Sequence, residues 1–171
     1  MLDNIILIGF MGCGKTTFGT WIAKNKKMDF CDTDALIVEK EKKSINDIFS
    51  ENGEPYFRKL ETEIVKDLIK SRHNTVVSVG GGLPLKPENR ELLKKLGTVV
   101  YLRTSVEELT KRLAGDTTRP LLAGGNIREK ITHLMDMRLL DYLDAAEVII
   151  DTDGRSFDEM YENILKEKRE A

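Results

Sequence analysis

The sequence predicts a three-layer α/β fold with a five-stranded parallel sheet, and three observations carry that expectation. Short apolar runs alternate with amphipathic stretches along all 171 residues. The first run, Ile5-Ile6-Leu7-Ile8, is continuous and β-branched, as in a strand covered on both faces. A glycine-rich turn follows it at once and leads into a helical stretch. That order, strand, glycine turn, helix, is the opening unit of a parallel sheet covered by helices.

The remaining elements follow in turn. Lys15 to Lys27 reads as a helix with Phe18, Trp21 and Ile22 inward, and Met28 to Cys31 as a second strand ending at Asp32-Thr33-Asp34. A short helix starts at Ser44, with Asp47 complementing its N-terminus, and Asn52-Gly53 punctuates the chain. Gly53 to Lys70 is a longer helix with Phe57, Leu60, Ile64, Val65, Leu68 and Ile69 inward. Thr75 to Val79 is the third strand, ending in Gly80-Gly81-Gly82; a helix over Glu88 to Leu96 precedes the fourth strand, Thr98 to Leu102. Val106 to Leu113 is helical. Gly115 to Gly125 is a loop with flexible ends, suited to a lid, and Asn126 to Leu143 is again helical. Val148 to Ile150 is the fifth strand, and Ser156 to Lys168 the closing helix.

Bulk properties narrow the function classes. A chain of this length forms one domain able to bury about 70% of its unfolded surface. The composition, 40% hydrophobic and 33% charged, is that of an ordinary globular protein. With a formal charge of −2 there is no basic field for nucleic acid or anionic lipid, and no apolar run reaches the roughly 18 residues of a membrane span. Met1-Leu2-Asp3-Asn4 supplies neither a basic region nor a small-residue cleavage site, so no signal peptide is expected. Cys13 and Cys31 make no metal-spaced set or disulfide framework, and His73 and His133 have no companions. A cytoplasmic setting is the simplest expectation.

The chemistry begins at Gly9-Phe10-Met11-Gly12-Cys13-Gly14-Lys15-Thr16, a complete match to the phosphate-loop pattern G-x-x-x-x-G-K-[ST]. Its glycines let successive backbone N–H groups face anionic oxygens, and the helix starting near Lys15 adds its positive end. Lys15 places a charge at the β- and γ-phosphates, and the Thr16 hydroxyl is a hard oxygen ligand suited to Mg²⁺. The Cys13 side chain adds little to such backbone coordination, and no base partner marks it as a nucleophile. Nucleotide binding alone leaves a kinase, a switch GTPase, a motor and a passive sensor open. The Asn-Lys-x-Asp of guanine-specific switches is absent, as is the Asp-Gly-Phe-Pro-Arg type of segment of nucleoside monophosphate kinases.

Further groups follow the strands. These are Asp32-x-Asp34, Phe57-Arg58-x-x-Glu61, Gly80-Gly81-Gly82, Arg112, Arg119-Pro120-Leu121-Leu122 and Arg138-x-x-x-Tyr142. In their order and separations, from about Ile5 to Ile150, they closely resemble the shikimate kinase family. The resemblance implies transfer of the ATP γ-phosphoryl group to the 3-hydroxyl of shikimate in aromatic amino-acid biosynthesis. It also implies a P-loop kinase sheet of order 2-3-1-4-5, a substrate-binding region over about 33–61 and a lid over about 115–125. Lys15, Asp34 and Arg119 would be catalytic. Gly12, Cys13, Gly14, Lys15, Thr16, Thr17, Arg112, Arg119 and Arg155 would bind the nucleotide. Asp34, Arg58, Gly80, Gly81, Gly82 and Arg138 would hold the acceptor, with Thr16 and Asp32 at Mg²⁺. The protein would act as a monomer on a small molecule.

The physical character of these residues suits that acceptor. A carboxylate calls for the planar fork of arginine, which Arg58 and Arg138 supply. Ring hydroxyls call for an acceptor such as Asp34, which by the resemblance would also take the 3-hydroxyl proton. Glu61 lies about one helical turn from Arg58 and would orient it. The sequence departs from the family after Asp151, where Thr152-Asp153-Gly154-Arg155-Ser156 stands in place of a proline-containing segment. Asp32 and Asp34 could instead cap the next helix. Two other functions stay open: a kinase for another small polyol acid such as gluconate, and a non-catalytic nucleotide-binding protein. A passive sensor, however, needs no pair of carboxylate-binding arginines.

Overall fold

The computed structural model describes residues 3–171; Met1 and Leu2, on which the expectation about a leader segment partly falls, lie outside them. Five parallel strands form one sheet in the order β2-β3-β1-β4-β5, as the resemblance implied. β1 (Ile5–Ile8) is central. Ile5 pairs with Val76 of β3 (Thr75–Ser78) on one side and with Thr98 of β4 (Thr98–Arg103) on the other. β2 (Asp29–Asp32) and β5 (Val148–Asp151) form the edges.

The side chains of β1 alternate between two cores, the expected consequence of a strand buried on both faces. Ile6 and Ile8 pack with Ile37 of α2 (Thr33–Glu41), Ile48 of α3 (Ile45–Asn52), Val65 of α4 (Glu54–Ser71), Leu93 of α5 (Pro87–Leu96) and Tyr142. Ile5 and Leu7 pack with Phe18 and Ile22 of α1 (Lys15–Lys26), Leu109 of α6 (Val106–Leu113), Ile131 of α7 (Ile127–Ala145) and Ile164 of α8 (Phe157–Glu170).

Helix starts follow the expected cap chemistry. Ser44 accepts from the Asp47 N–H, Asn126 from Glu129, and Ser156 forms a reciprocal capping box with Glu159. Several element ends differ from expectation by one or two residues, and a short turn, Pro120–Leu122, lies within the expected loop. β2 lies one residue later than Met28 to Cys31, because Asp32 still pairs with Ser78 before its side chain turns to cap α2. Trp21 is only half-buried: it stacks at the rim on Phe18 rather than entering the core.

Candidate active site

Five strands ending on one side bring their following loops together there, where parallel sheets bind ligands. The phosphate loop turns through positive φ at Gly9, Gly12 and Gly14 and delivers Lys15 as the first residue of α1. Lys15 Nζ donates to its own loop, to the Gly9 carbonyl at 2.8 Å and the Phe10 carbonyl at 3.1 Å. Cys13 is buried with Sγ 3.8 Å from Lys15 Nζ, so its side chain packs behind the loop.

A cavity of about 310 Å³ opens over this loop. Gly12, Gly14, Lys15, Thr16 and Thr17 line one side, Asp32 and Asp34 another, and Gly80, Gly81 and Arg119 a third. Asp32 is the N-cap of α2, accepting the Ala35 N–H at 3.1 Å, and also lines the cavity; the capping and site readings both apply. Asp34 stands in the first turn of α2, and burial pushes its carboxyl up from the usual range. The charge of Asp32 adds to that shift, while Lys15, Arg58 and Arg119 oppose it. Arg119 is half exposed, with Nε 3.5 Å from Asp116.

A second cluster of charged groups is built around the glycine run. A Cβ on Gly80 would lie 2.9 Å from Asp34 Oδ1 and 3.2 Å from Glu61 Oε1. One on Gly82 would lie 2.5 Å from both terminal guanidinium nitrogens of Arg58. Between them, the corresponding point on Gly81 is 3.4 Å from Arg138 Nη1, and the Gly81 carbonyl accepts from the Tyr142 hydroxyl at 2.7 Å. Side chains from α2, α4 and α7 therefore converge on three consecutive residues. The run has no Cβ atoms because that space is filled by charged groups.

Several of those groups are incompletely paired. Asp34 Oδ1, Glu61 Oε1 and Arg138 Nε are buried with no hydrogen-bond partner among the described residues. Arg58 is held by Glu61 at 2.8 Å and by Glu54 at 3.2 and 3.3 Å. Arg138, 6% exposed, lies over the Phe10 ring at 5.7 Å. Buried polar atoms left open in a cluster are those a polar ligand would complete.

A second cavity, of about 300 Å³, shares Gly12, Gly14 and Thr17 with the first. Cys13, Arg112 and Arg155 line it together with the apolar walls of Phe18, Phe157 and Met160. Arg112 donates Nη1 to the Gly12 carbonyl at 3.2 Å and Nε to Glu108 at 3.0 Å. The segment after Asp151 thus reaches this cavity without a proline. Thr152 is buried, bonded through its hydroxyl to that of Thr104 at 2.6 Å, and holds the turn that presents Arg155.

The family model for shikimate kinase matches residues 11–169. The chain belongs to the shikimate kinase family. A family member from Geobacter metallireducens is 47% identical over 161 residues, covering 94% of this chain and 89% of that one. Another, from Enterococcus faecalis, is 43% identical over 99% of this chain and 100% of its own length. The solved shikimate kinase from Acinetobacter baumannii in complex with shikimate superposes with a TM-score of 0.89 at 36% identity, covering 99% of this chain and 94% of that one. A gluconokinase from Sinorhizobium meliloti reaches a TM-score of 0.54 at 19% identity, over 98% of this chain and 91% of that one, and so has the fold in common.

Sequence reasoning missed some residues. Thr33, between the two quoted aspartates, is fully buried and accepts the Gly80 N–H at 3.1 Å, tying α2 to the glycine run. Met11, Ser78 and Val79 line the first cavity. Phe18 was expected only as core, yet it also walls the second cavity.

Two expected results follow from this packing. Burial pushes the Glu61 carboxyl from 4.5 up to about 7, with Asp34 adding and Arg58 and Arg138 opposing. The native state then holds that proton to higher pH than the unfolded chain. Its stability contribution is complete below about pH 4.5 and is lost as pH rises towards 7, by up to about 3 kcal/mol. Denaturant titrations across that range should show this decline, and Glu61→Gln should flatten it. Gly82→Ala should leave the fold intact, since Gly82 has φ of −93°, but displace the Arg58 guanidinium. Steady-state kinetics should show acceptor KM raised about tenfold or more, with ATP KM unchanged.

Proposed function

We propose that this chain transfers the γ-phosphoryl group of ATP to the 3-hydroxyl of shikimate, forming 3-phosphoshikimate and ADP in aromatic amino-acid biosynthesis. The observation that carries the reading is the convergence of Arg58, Arg138 and Asp34 on Gly80 to Gly82, beside the phosphate loop. A half-buried arginine fork, a buried one and a carboxylate, each presented to the same short backbone run, suit a ring bearing a carboxylate and hydroxyls. Membership of the shikimate kinase family supports the same acceptor.

In this reading the second cavity takes the adenosine, with Phe18, Phe157 and Met160 against the base and Arg112 and Arg155 at its edges. The phosphates lie along Gly12 to Thr17, and Lys15 leaves its loop carbonyls to meet the β- and γ-oxygens. Arg58 and Arg138 grip the acid, while Asp34 holds the 3-hydroxyl and takes its proton as that oxygen bonds to phosphorus. The bond from the γ-phosphorus to the β–γ bridging oxygen breaks, and ADP leaves. Arg119, on the segment expected to act as a lid, adds positive charge to the transferring group.

The donor set fits Mg²⁺. Thr16 and Asp32 present hard oxygens to the cavity, and no group of three or more metal-ligating side chains exists among the described residues. Magnesium at a phosphate site takes one or two protein ligands and fills the rest with water and phosphate oxygens. Thr16 and Asp32 would hold it, and bound there it would neutralise phosphate charge. The protein would work as a cytoplasmic monomer; no described helix is long and apolar enough to cross a membrane.

A coupled ADP assay over a panel of hydroxy acids, with and without Mg²⁺, tests the assignment. Release should depend on shikimate and on the metal, with gluconate inert. Turnover with gluconate in place of shikimate would assign a different acid, and ATP binding with no active acceptor would favour a passive nucleotide-binding protein.

A further inference from the structure

The two arginines assigned to the acceptor carboxylate stand on different helices, α4 and α7. Their separation is set by whatever joins those helices, and α5 packs against both. Two adjacent α5 residues make the joints. Asn89, fully buried, donates Nδ2 to the Leu83 carbonyl at 2.9 Å and accepts at Oδ1 from the Thr62 hydroxyl at 2.8 Å. Thr62 follows Glu61 directly, and its hydroxyl is 3.2 Å from the Arg58 carbonyl. Arg90 donates Nη1 to the Pro84 and Leu85 carbonyls at 2.9 and 3.2 Å and to Asp141 at 3.0 Å. Its Nε reaches Asp144 at 2.5 Å. Asp141 lies one turn beyond Arg138 and immediately before Tyr142, which bonds the Gly81 carbonyl.

Both joints anchor on one short turn, Leu83–Leu85, which directly follows Gly80 to Gly82. We propose that Asn89 and Arg90 are positioning residues for acceptor binding, holding Arg58 and Arg138 at the spacing that one carboxylate can bridge. The inference rests on the assignment of the shikimate carboxylate to those two arginines. Asn89 suits the task because its amide donates and accepts at once, and Arg90 because its planar fork serves carbonyls and carboxylates together. Lysine keeps the charge of Arg90 but not the fork.

The test compares shikimate and ATP binding, by calorimetry and steady-state kinetics, in the wild type, Arg90→Lys, Asn89→Asp, Arg138→Lys and the Arg90→Lys/Arg138→Lys double variant. Arg90→Lys and Asn89→Asp should each weaken shikimate about tenfold while ATP changes less than about twofold. In the Arg138→Lys background, Arg90→Lys should add less than about threefold, because its partner is already displaced. Unchanged shikimate affinity, equal losses for both substrates, or the full tenfold loss in the double variant would overturn the proposal and leave the pair a general brace. If the Arg90 variants do not fold, Asp141→Asn, which keeps the carbonyl contacts, carries the same comparison. A wild type that binds ATP but not shikimate would instead overturn the functional assignment, and this inference with it.

Discussion

Replacing Lys15 with methionine should abolish turnover, lowering kcat by about 10³-fold or more, while the folded structure survives. The side chain is half-buried at the mouth of the loop; among the described residues its ammonium bonds only the Gly9 and Phe10 carbonyls and approaches Cys13. Methionine keeps the stem and removes the charge. The cost in stability is about that of one or two partly solvated hydrogen bonds, roughly 1–2 kcal/mol. The cost in catalysis is far larger, because phosphoryl transfer depends on neutralising charge that spreads over the transferred oxygens. Single-turnover kinetics with saturating ATP and shikimate would check this. Circular dichroism should show an unchanged fold, since the strand before the loop is held by buried apolar packing and the turn by its glycine backbone conformation.

Asp34→Asn should lower kcat by about 10³-fold and leave ATP affinity within about twofold of the wild type. The substitution is isosteric. Asp34 Oδ1 has no hydrogen-bond partner among the described residues, so the amide breaks no internal bond there. What it removes is a proton acceptor facing the cavity and a negative charge opposite Lys15, Arg58 and Arg119. A group that accepts the proton in the transition state should affect kcat and kcat/KM alike. If Asp34 only held the ring, shikimate KM would carry most of the loss. Kinetics at several shikimate concentrations separate the two roles.

How readily each part of the site could be read from sequence follows how locally it is encoded. Gly9 to Thr16 is continuous, and its conformation depends on neighbours in the chain, so strand, loop and helix were all legible. Asp34, Arg58, Gly80 to Gly82 and Arg138 come from separate elements; only their order and spacing, matched to a family, marked them as one site. The reason for three consecutive glycines was not legible at all. It lies in Arg58, Asp34 and Glu61 occupying the volume that side chains there would need. Glu61 was read as a partner for Arg58, but the raised carboxyl pKa comes from full burial, which no local pattern reports. The departure after Asp151 looked like a gap on the adenine side. There the fold lines the second cavity with Phe157, Met160 and Phe18, the last of these more than a hundred residues away in sequence. Asn89 and Arg90 looked like ordinary residues of a charged helix. Their partners Thr62, Asp141 and Asp144 belong to helices far apart in the chain.

Phosphorus and proton NMR of one reaction containing the protein, ATP, Mg²⁺ and shikimate tests whether the ring held at Gly80 to Gly82 is shikimate and whether its 3-hydroxyl receives the phosphoryl group. ADP and 3-phosphoshikimate should form in equal amounts, with no free phosphate. ATP left intact, ADP formed with inorganic phosphate while shikimate stays unchanged, or a phosphate on another hydroxyl would contradict that assignment.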